Sequence, residues 1–182
     1  AADDDRHIIV QPNNGDATNE AFRIIRTNLE FAVPNKQSAN VIQITSADSG
    51  SGKTFVCANL ASALAIKKKK TIAIDLDLRK ATLSQYIDNP QKGLTDYLTG
   101  RTKNWKELIY HAKESSLLDI IPVGAIPQNP TELLADGTIN TLLDELRKEY
   151  DFILLDSTSM EIVADTAIVA PLSDATIFVL RL

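Results

Sequence analysis

The hydrophobic pattern of the chain changes period repeatedly. From Glu20 to Phe31, the residues Phe22, Ile25 and Leu29 fall on one face at i, i+3, i+7 spacing, which predicts an amphipathic helix. Val41–Thr45 is a short apolar run that ends in a Gly/Ser loop, and Lys53–Ile66 returns to helical spacing. Further apolar runs at Thr71–Asp75, Leu118–Val123, Phe152–Leu155 and Ala175–Leu180 predict strands. Between them, helical spacing recurs near Leu83–Tyr86, Leu94–Leu98, Lys106–Lys113, Thr131–Leu134, Ile139–Lys148 and Ile162–Ala170. Strands apolar on both faces and separated by helices predict an α/β fold, a mostly parallel sheet with helices on both faces. Ligands of such sheets sit at the C-terminal strand ends. Residues 1–17 are polar and turn-rich, and read as an arm or linker ahead of one domain over residues 18–182.

Composition narrows the function. A net charge of −5 gives no global support to sequence-independent nucleic-acid binding. The single cysteine, Cys57, excludes an internal disulfide and fits a reducing compartment; its neighbours Val56, Ala58 and Leu60 mark it as a core residue. No apolar run approaches the ~20 residues of a membrane span. The run Lys67–Lys70 reads as a solvated helix end that complements the helix dipole.

The segment with the clearest chemistry is Thr45-Ser46-Ala47-Asp48-Ser49-Gly50-Ser51-Gly52-Lys53-Thr54, between a strand and a helix. Its glycines let backbone N–H groups curl around a polyphosphate at a helix N-terminus. Lys53 would supply a cation to the β and γ phosphates, and the Thr54 hydroxyl is placed to ligate Mg²⁺. Ala47 stands where the phosphate-loop pattern has its first glycine. Asp75, Asp77 and Asp156 lie at or just past strand ends on the same side of the expected sheet. Each alone is an ordinary cap or turn residue; together they suit a metal–phosphate site.

These residues resemble the bacterial protein-tyrosine kinases of capsule and exopolysaccharide synthesis, which are of the P-loop NTPase type. The Lys53 loop looks like their Walker A motif, Ile72–Arg79 their Walker A′ motif and Phe152–Asp156 their Walker B motif. Glu20, Arg23 and Arg26 match an oligomerisation motif, E-x-x-R-x-x-R, as a stripe about 120° wide turned away from Phe22, Ile25 and Leu29. Gly93–Leu98 and Gly124–Leu134 resemble further family segments.

The resemblance implies an ATP:protein-tyrosine phosphotransferase that works in trans between copies of itself. Ser49, Gly50, Ser51, Gly52, Lys53, Thr54 and Phe55 would bind ATP or ADP, and Thr54, Asp77 and Asp156 would hold Mg²⁺. Lys53, Asp75 and Asp77 would be catalytic, with Asp75 deprotonating the incoming tyrosine. It also implies a homo-oligomer in a ring-type assembly and a membrane-embedded polysaccharide chain-length regulator as activator, fused or separate. The place would be the cytoplasmic face of the bacterial inner membrane, with this segment itself soluble.

The sequence departs from the family at several points. Ser157-Thr158-Ser159 replaces Thr-Pro-Pro after the Walker B aspartate, which removes the restraint of two prolines. Lys68 takes a position usually given to glycine. The family's last helix and strand and its C-terminal tyrosine cluster are missing. The four tyrosines Tyr86, Tyr97, Tyr110 and Tyr150 are scattered, with Tyr110 and Tyr150 read as packing residues. Two other readings remain. One is a positioning ATPase of the ParA/MinD type, against which stands Asp48 where those proteins carry a second lysine. The other is a nucleotide-gated assembly module without catalysis.

Overall fold

The computed structural model describes residues 7–34 and 37–181; residues 1–6 of the expected arm lie outside it. Six strands form one sheet in the order β3-β4-β2-β5-β1-β6. They are β1 (Asn40–Ser46), β2 (Thr71–Asp75), β3 (Tyr110–His111), β4 (Leu118–Ile121), β5 (Phe152–Asp156) and β6 (Ala175–Val179). All neighbouring pairs are parallel except β3 with β4. The helices are α1 (Ala17–Ala32), α2 (Lys53–Ile66), α3 (Thr82–Gln85), α4 (Leu94–Leu98), α5 (Pro130–Ala135), α6 (Thr138–Leu146) and α7 (Val163–Val169).

Strand residues alternate between two cores, as a two-residue period requires. Ile72, Ile74, Ile153 and Leu155 join Leu142 and Leu146 of α6 on one face. Ala73, Leu154, Ile42 and Ile44 join Phe22, Leu60 and Leu64 of α1 and α2 on the other. Every residue of β1, β2, β4 and β5 is buried, whereas β6 is half exposed at the edge.

Where an arm is expected, residues 7–11 pack as an irregular segment on α2. Ile8 and Val10 are buried beside Leu60 and Leu64, and the fully buried Asn59 holds the backbone. Asn59 Oδ1 accepts the Ile9 and Val10 N–H groups at 2.8 and 3.1 Å, and its Nδ2 donates to His7 and Phe55 carbonyls. Asn59→Ala would strand several backbone groups, so it is expected to destabilise the domain by about 2–4 kcal/mol. Chemical denaturation would measure the loss, and amide exchange should accelerate first at Ile9 and Val10.

One expected helix is not formed. Lys106–Lys113 is instead a 3-10 turn at Trp105–Leu108 followed by β3. Trp105 and Leu108 bury at helical spacing, but Ile109 is already extended, and Tyr110–His111 pairs with Ile120 and Asp119 on the free edge of β4. Edge pairing satisfies backbone groups that a short helix there would leave to its own ends.

Candidate active site

The strand order sets the site. Because β5 lies between β1 and β2, Asp156 at its end stands between the loop that leaves β1 and Asp75 at the end of β2. Gly50 and Gly52 have φ of 82° and 89°, the left-handed region that favours glycine, and this turns the loop into the first residue of α2. Ala47, where the pattern has glycine, is not among the positive-φ residues.

Lys53 and Thr54 open α2 and are buried. Lys53 Nζ is 3.8 Å from Asp77 Oδ2, and the Thr54 hydroxyl donates to Asp156 Oδ2 at 2.8 Å. Asp77 Oδ1 accepts the Arg79 and Lys80 N–H groups, which fixes the turn after β2. Asp75 is fully buried; Oδ1 accepts the Asp77 N–H at 3.2 Å, and Oδ2 accepts both the N–H and the hydroxyl of Ser84, at 2.9 and 2.7 Å. Both aspartates therefore have the capping roles common for such residues, and both also face the loop cluster. Phe55 directs its ring onto Phe22 of α1, 5.9 Å between centroids, so only its backbone belongs to the loop.

Burial sets the electrostatics. Desolvation raises the proton affinity of Asp75, and the neighbouring Asp156 charge raises it further. Asp156 is raised by its own desolvation and drawn back by Lys53 and by the Thr54 bond. The stabilisation from a raised carboxyl is complete below its unfolded value near 3.9 and is lost as pH rises toward the folded value. Asp75→Asn removes that loss. The melting temperature of the variant relative to the native protein is therefore expected to rise between pH 5 and pH 8, which a pH series of thermal melts in metal-free buffer would measure.

The residues fit a magnesium–nucleotide group. Asp156 Oδ1 is buried without a hydrogen-bond donor among the described residues, which leaves a free oxygen beside Thr54 and Lys53. No cluster of three or more His, Cys, Asp or Glu side chains among the described residues would cage a metal by itself. That suits Mg²⁺, which keeps waters and phosphate oxygens around one or two carboxylates. A cleft of about 900 Å³ between α4 and α6, lined by Tyr97, Trp105 and Glu145, shares no residue with the loop.

The Ser157-Thr158-Ser159 loop is held rather than loosened. Its three residues are buried, and hydroxyl bonds do the work of the missing prolines: Ser157 Oγ donates to the Ile44 carbonyl, the Thr45 hydroxyl donates to the Thr158 carbonyl, and Thr158 Oγ1 bonds Thr166 Oγ1. On α1, Glu20 and Arg23 pair at 3.0 Å and are partly exposed, while Arg26 donates to the Ala63 carbonyl of α2. Exposed Ile24 and Phe31 share that helix.

Several residues near the site make bonds that their spacing in the sequence does not reveal. Ser84 bonds Asp75, and Arg79 donates to both Asp165 and Thr131, which ties the turn after β2 to α7 and α5. Lys80 donates to Ser49 Oγ. Tyr86 stacks on His7 and is partly buried, and the Tyr150 hydroxyl donates to Asp119 at 2.5 Å.

The sequence profile of a family described as an AAA domain matches residues 39–182. The chain is 36% identical to the tyrosine-protein kinase YwqD of Bacillus subtilis, over 96% of this chain and 73% of that one. It belongs to the bacterial tyrosine-protein kinase family. A second member, the EpsB protein of Ralstonia solanacearum, described as a putative tyrosine-protein kinase, is 38% identical over 91% of this chain. This chain spans only 22% of that relative's length. Among solved structures, the kinase domain of Escherichia coli tyrosine kinase ETK superposes with a TM-score of 0.88 at 32% identity, covering 96% of this chain and 68% of that one. The Pyrococcus horikoshii septum-site protein MinD, complexed with Mg-ADP, matches less fully, with a TM-score of 0.65 at 29% identity over 78% of this chain and 57% of its own. The kinase family thus shares the mostly parallel sheet with its helices described above.

Proposed function

We propose that this domain binds Mg·ATP and transfers the γ-phosphoryl group to a tyrosine hydroxyl, as an ATP-dependent tyrosine kinase of capsular or exopolysaccharide production. The supporting observation is the buried set Lys53, Thr54, Asp75, Asp77 and Asp156, with one Asp156 oxygen lacking a donor. The amides of Ser49–Gly52 and the first turn of α2 through Phe55 hold phosphate oxygens, and Lys53 neutralises them. Thr54, Asp77 and Asp156 hold Mg²⁺, which when bound neutralises charge on the phosphates. Asp75 Oδ1, with a single partner at 3.2 Å, accepts the tyrosine proton. The phenolate oxygen forms a bond to Pγ as the bond from Pγ to the bridging oxygen breaks, and ADP leaves. Asp75 then returns its proton to water.

Calorimetry with ADP tests the binding half. Affinity is expected to rise in Mg²⁺ and to lose that dependence in Asp156→Asn; equal ADP affinity with and without Mg²⁺ in the native protein would contradict it.

Transfer runs in trans between subunits in this reading, to a tyrosine other than Tyr86, Tyr97, Tyr110 and Tyr150, which are packed or partly buried. We place the contact on Glu20, Arg23 and Arg26 of α1, with a membrane-embedded chain-length regulator as activator at the cytoplasmic face of the inner membrane. An exposed ion pair adds little and is screened by salt. Self-association should therefore be weak, stronger at low salt and reduced in the triple-alanine variant, which sedimentation would show.

A further inference from the structure

The loop after β5 makes a contact that the proposed reaction does not use. Glu161 turns its carboxylate onto the phosphate loop, where Oε2 accepts the Ser49 N–H at 3.0 Å and the Ser159 hydroxyl at 3.1 Å. The backbone fixes this approach. Met160 N–H donates to the Ser46 carbonyl at 2.8 Å, joining the loop to the end of β1, and Ile162 N–H donates to the Ser159 carbonyl at 3.0 Å, closing a turn around Glu161.

Ser49 is one of the residues whose amides curl around an anion in such loops. A carboxylate is a weaker anion than a polyphosphate but offers the same kind of acceptor oxygen. The Ser159 hydroxyl is the group that orients the Glu161 carboxylate. Glu161 itself is exposed, so its carboxylate can swing into water without leaving a buried charge behind. Lys80 bonds the same Ser49 through its hydroxyl and would stay beside an incoming phosphate as a favourable charge.

We propose that Glu161 is an internal competitor for the phosphate loop and thereby an affinity-determining residue of the nucleotide site. Its oxygen holds an amide that a phosphate oxygen needs, and its charge opposes the approaching phosphates. The inference rests on the reading of residues 45–54 as the nucleotide loop. Glutamine at 161 keeps the shape and an acceptor oxygen but removes the charge, so Glu161→Gln isolates the repulsion.

The test is titration calorimetry of Mg·ADP into the native protein, Glu161→Gln, Ser159→Ala and the double variant. Glu161→Gln is expected to bind about five- to tenfold tighter at low ionic strength, with the gap narrowing in high salt as the repulsion is screened. Ser159→Ala, which only releases the carboxylate, is expected to bind about two- to threefold tighter. It should add nothing in the Glu161→Gln background, because the two residues act through one contact. Equal or weaker binding by Glu161→Gln overturns the inference alone. No binding by any of the four proteins overturns the nucleotide reading and this inference with it.

Discussion

Replacing Lys53 by methionine is expected to lower ADP affinity about a hundredfold while the domain stays folded. Lys53 is buried at the start of α2 and has Asp77 Oδ2 3.8 Å away, so its ammonium is fixed where phosphate oxygens would arrive. Losing a charged contact of this kind costs on the order of 2–3 kcal/mol, or roughly a hundredfold in affinity. The fold tolerates the change because the cluster can neutralise itself. Lys53 is what draws the Asp156 carboxyl downward; without it, Asp156 binds a proton more readily, and Asp77 keeps the Arg79 and Lys80 N–H groups as donors. Calorimetry with ADP, beside a circular-dichroism melt, checks both halves. Unchanged ADP binding in a folded variant would remove the loop from the site.

Asp75→Asn is expected to reduce tyrosine phosphorylation at least a hundredfold while changing ADP affinity by no more than about threefold. A general base contributes on the order of 10²–10⁴ in rate and acts on the acceptor rather than on the nucleotide. Asparagine keeps an oxygen for the Ser84 N–H and hydroxyl, so α3 keeps its anchor. Measuring initial transfer rates to a tyrosine peptide and ADP binding on the same preparations separates the two effects. Parallel losses in both would make Asp75 a structural cap and nothing more.

Most of the sheet was legible because its strands are buried on both faces and so appear as unbroken apolar runs. The spacing at Phe22, Ile25 and Leu29 marked α1, which begins three residues earlier than expected because Asp16 caps it through the Asn19 N–H. Lys68, in place of a glycine, does take a left-handed conformation, φ 60°, just past the end of α2. Of the same lysine run, Lys70 is not merely solvated: its ammonium lies 4.9 Å over the Tyr150 ring.

β3 and the packing of residues 7–11 escape the local pattern because each depends on partners outside its own segment. β3 has two residues and exists only because β4 offers an open edge. The docking of residues 7–11 depends on Asn59, fifty positions away, together with Ser62 and Asn19, which also bond the segment's backbone. Within the site, Lys53, Thr54 and the three aspartates announced themselves by spacing from strand ends. Ser84, Lys80 and Glu161 did not, since a serine, a lysine and a surface glutamate are ordinary at those places, and the Walker A′ stretch that ends at Arg79 does not reveal its bonds to Asp165 and Thr131. The engagement of Arg26 with α2 was equally hidden, because a helical stripe read from sequence shows which residues align but not which of them a neighbouring helix has claimed.

Incubation with γ-labelled Mg·ATP and a tyrosine-rich peptide decides whether the phosphoryl group passes to tyrosine. The expected result is label on the peptide's tyrosines, absent when phenylalanine replaces them and absent with the Lys53→Met protein. Release of inorganic phosphate at the same rate with either peptide, and no labelled tyrosine, would contradict the kinase assignment and leave a MinD-like ATPase in its place.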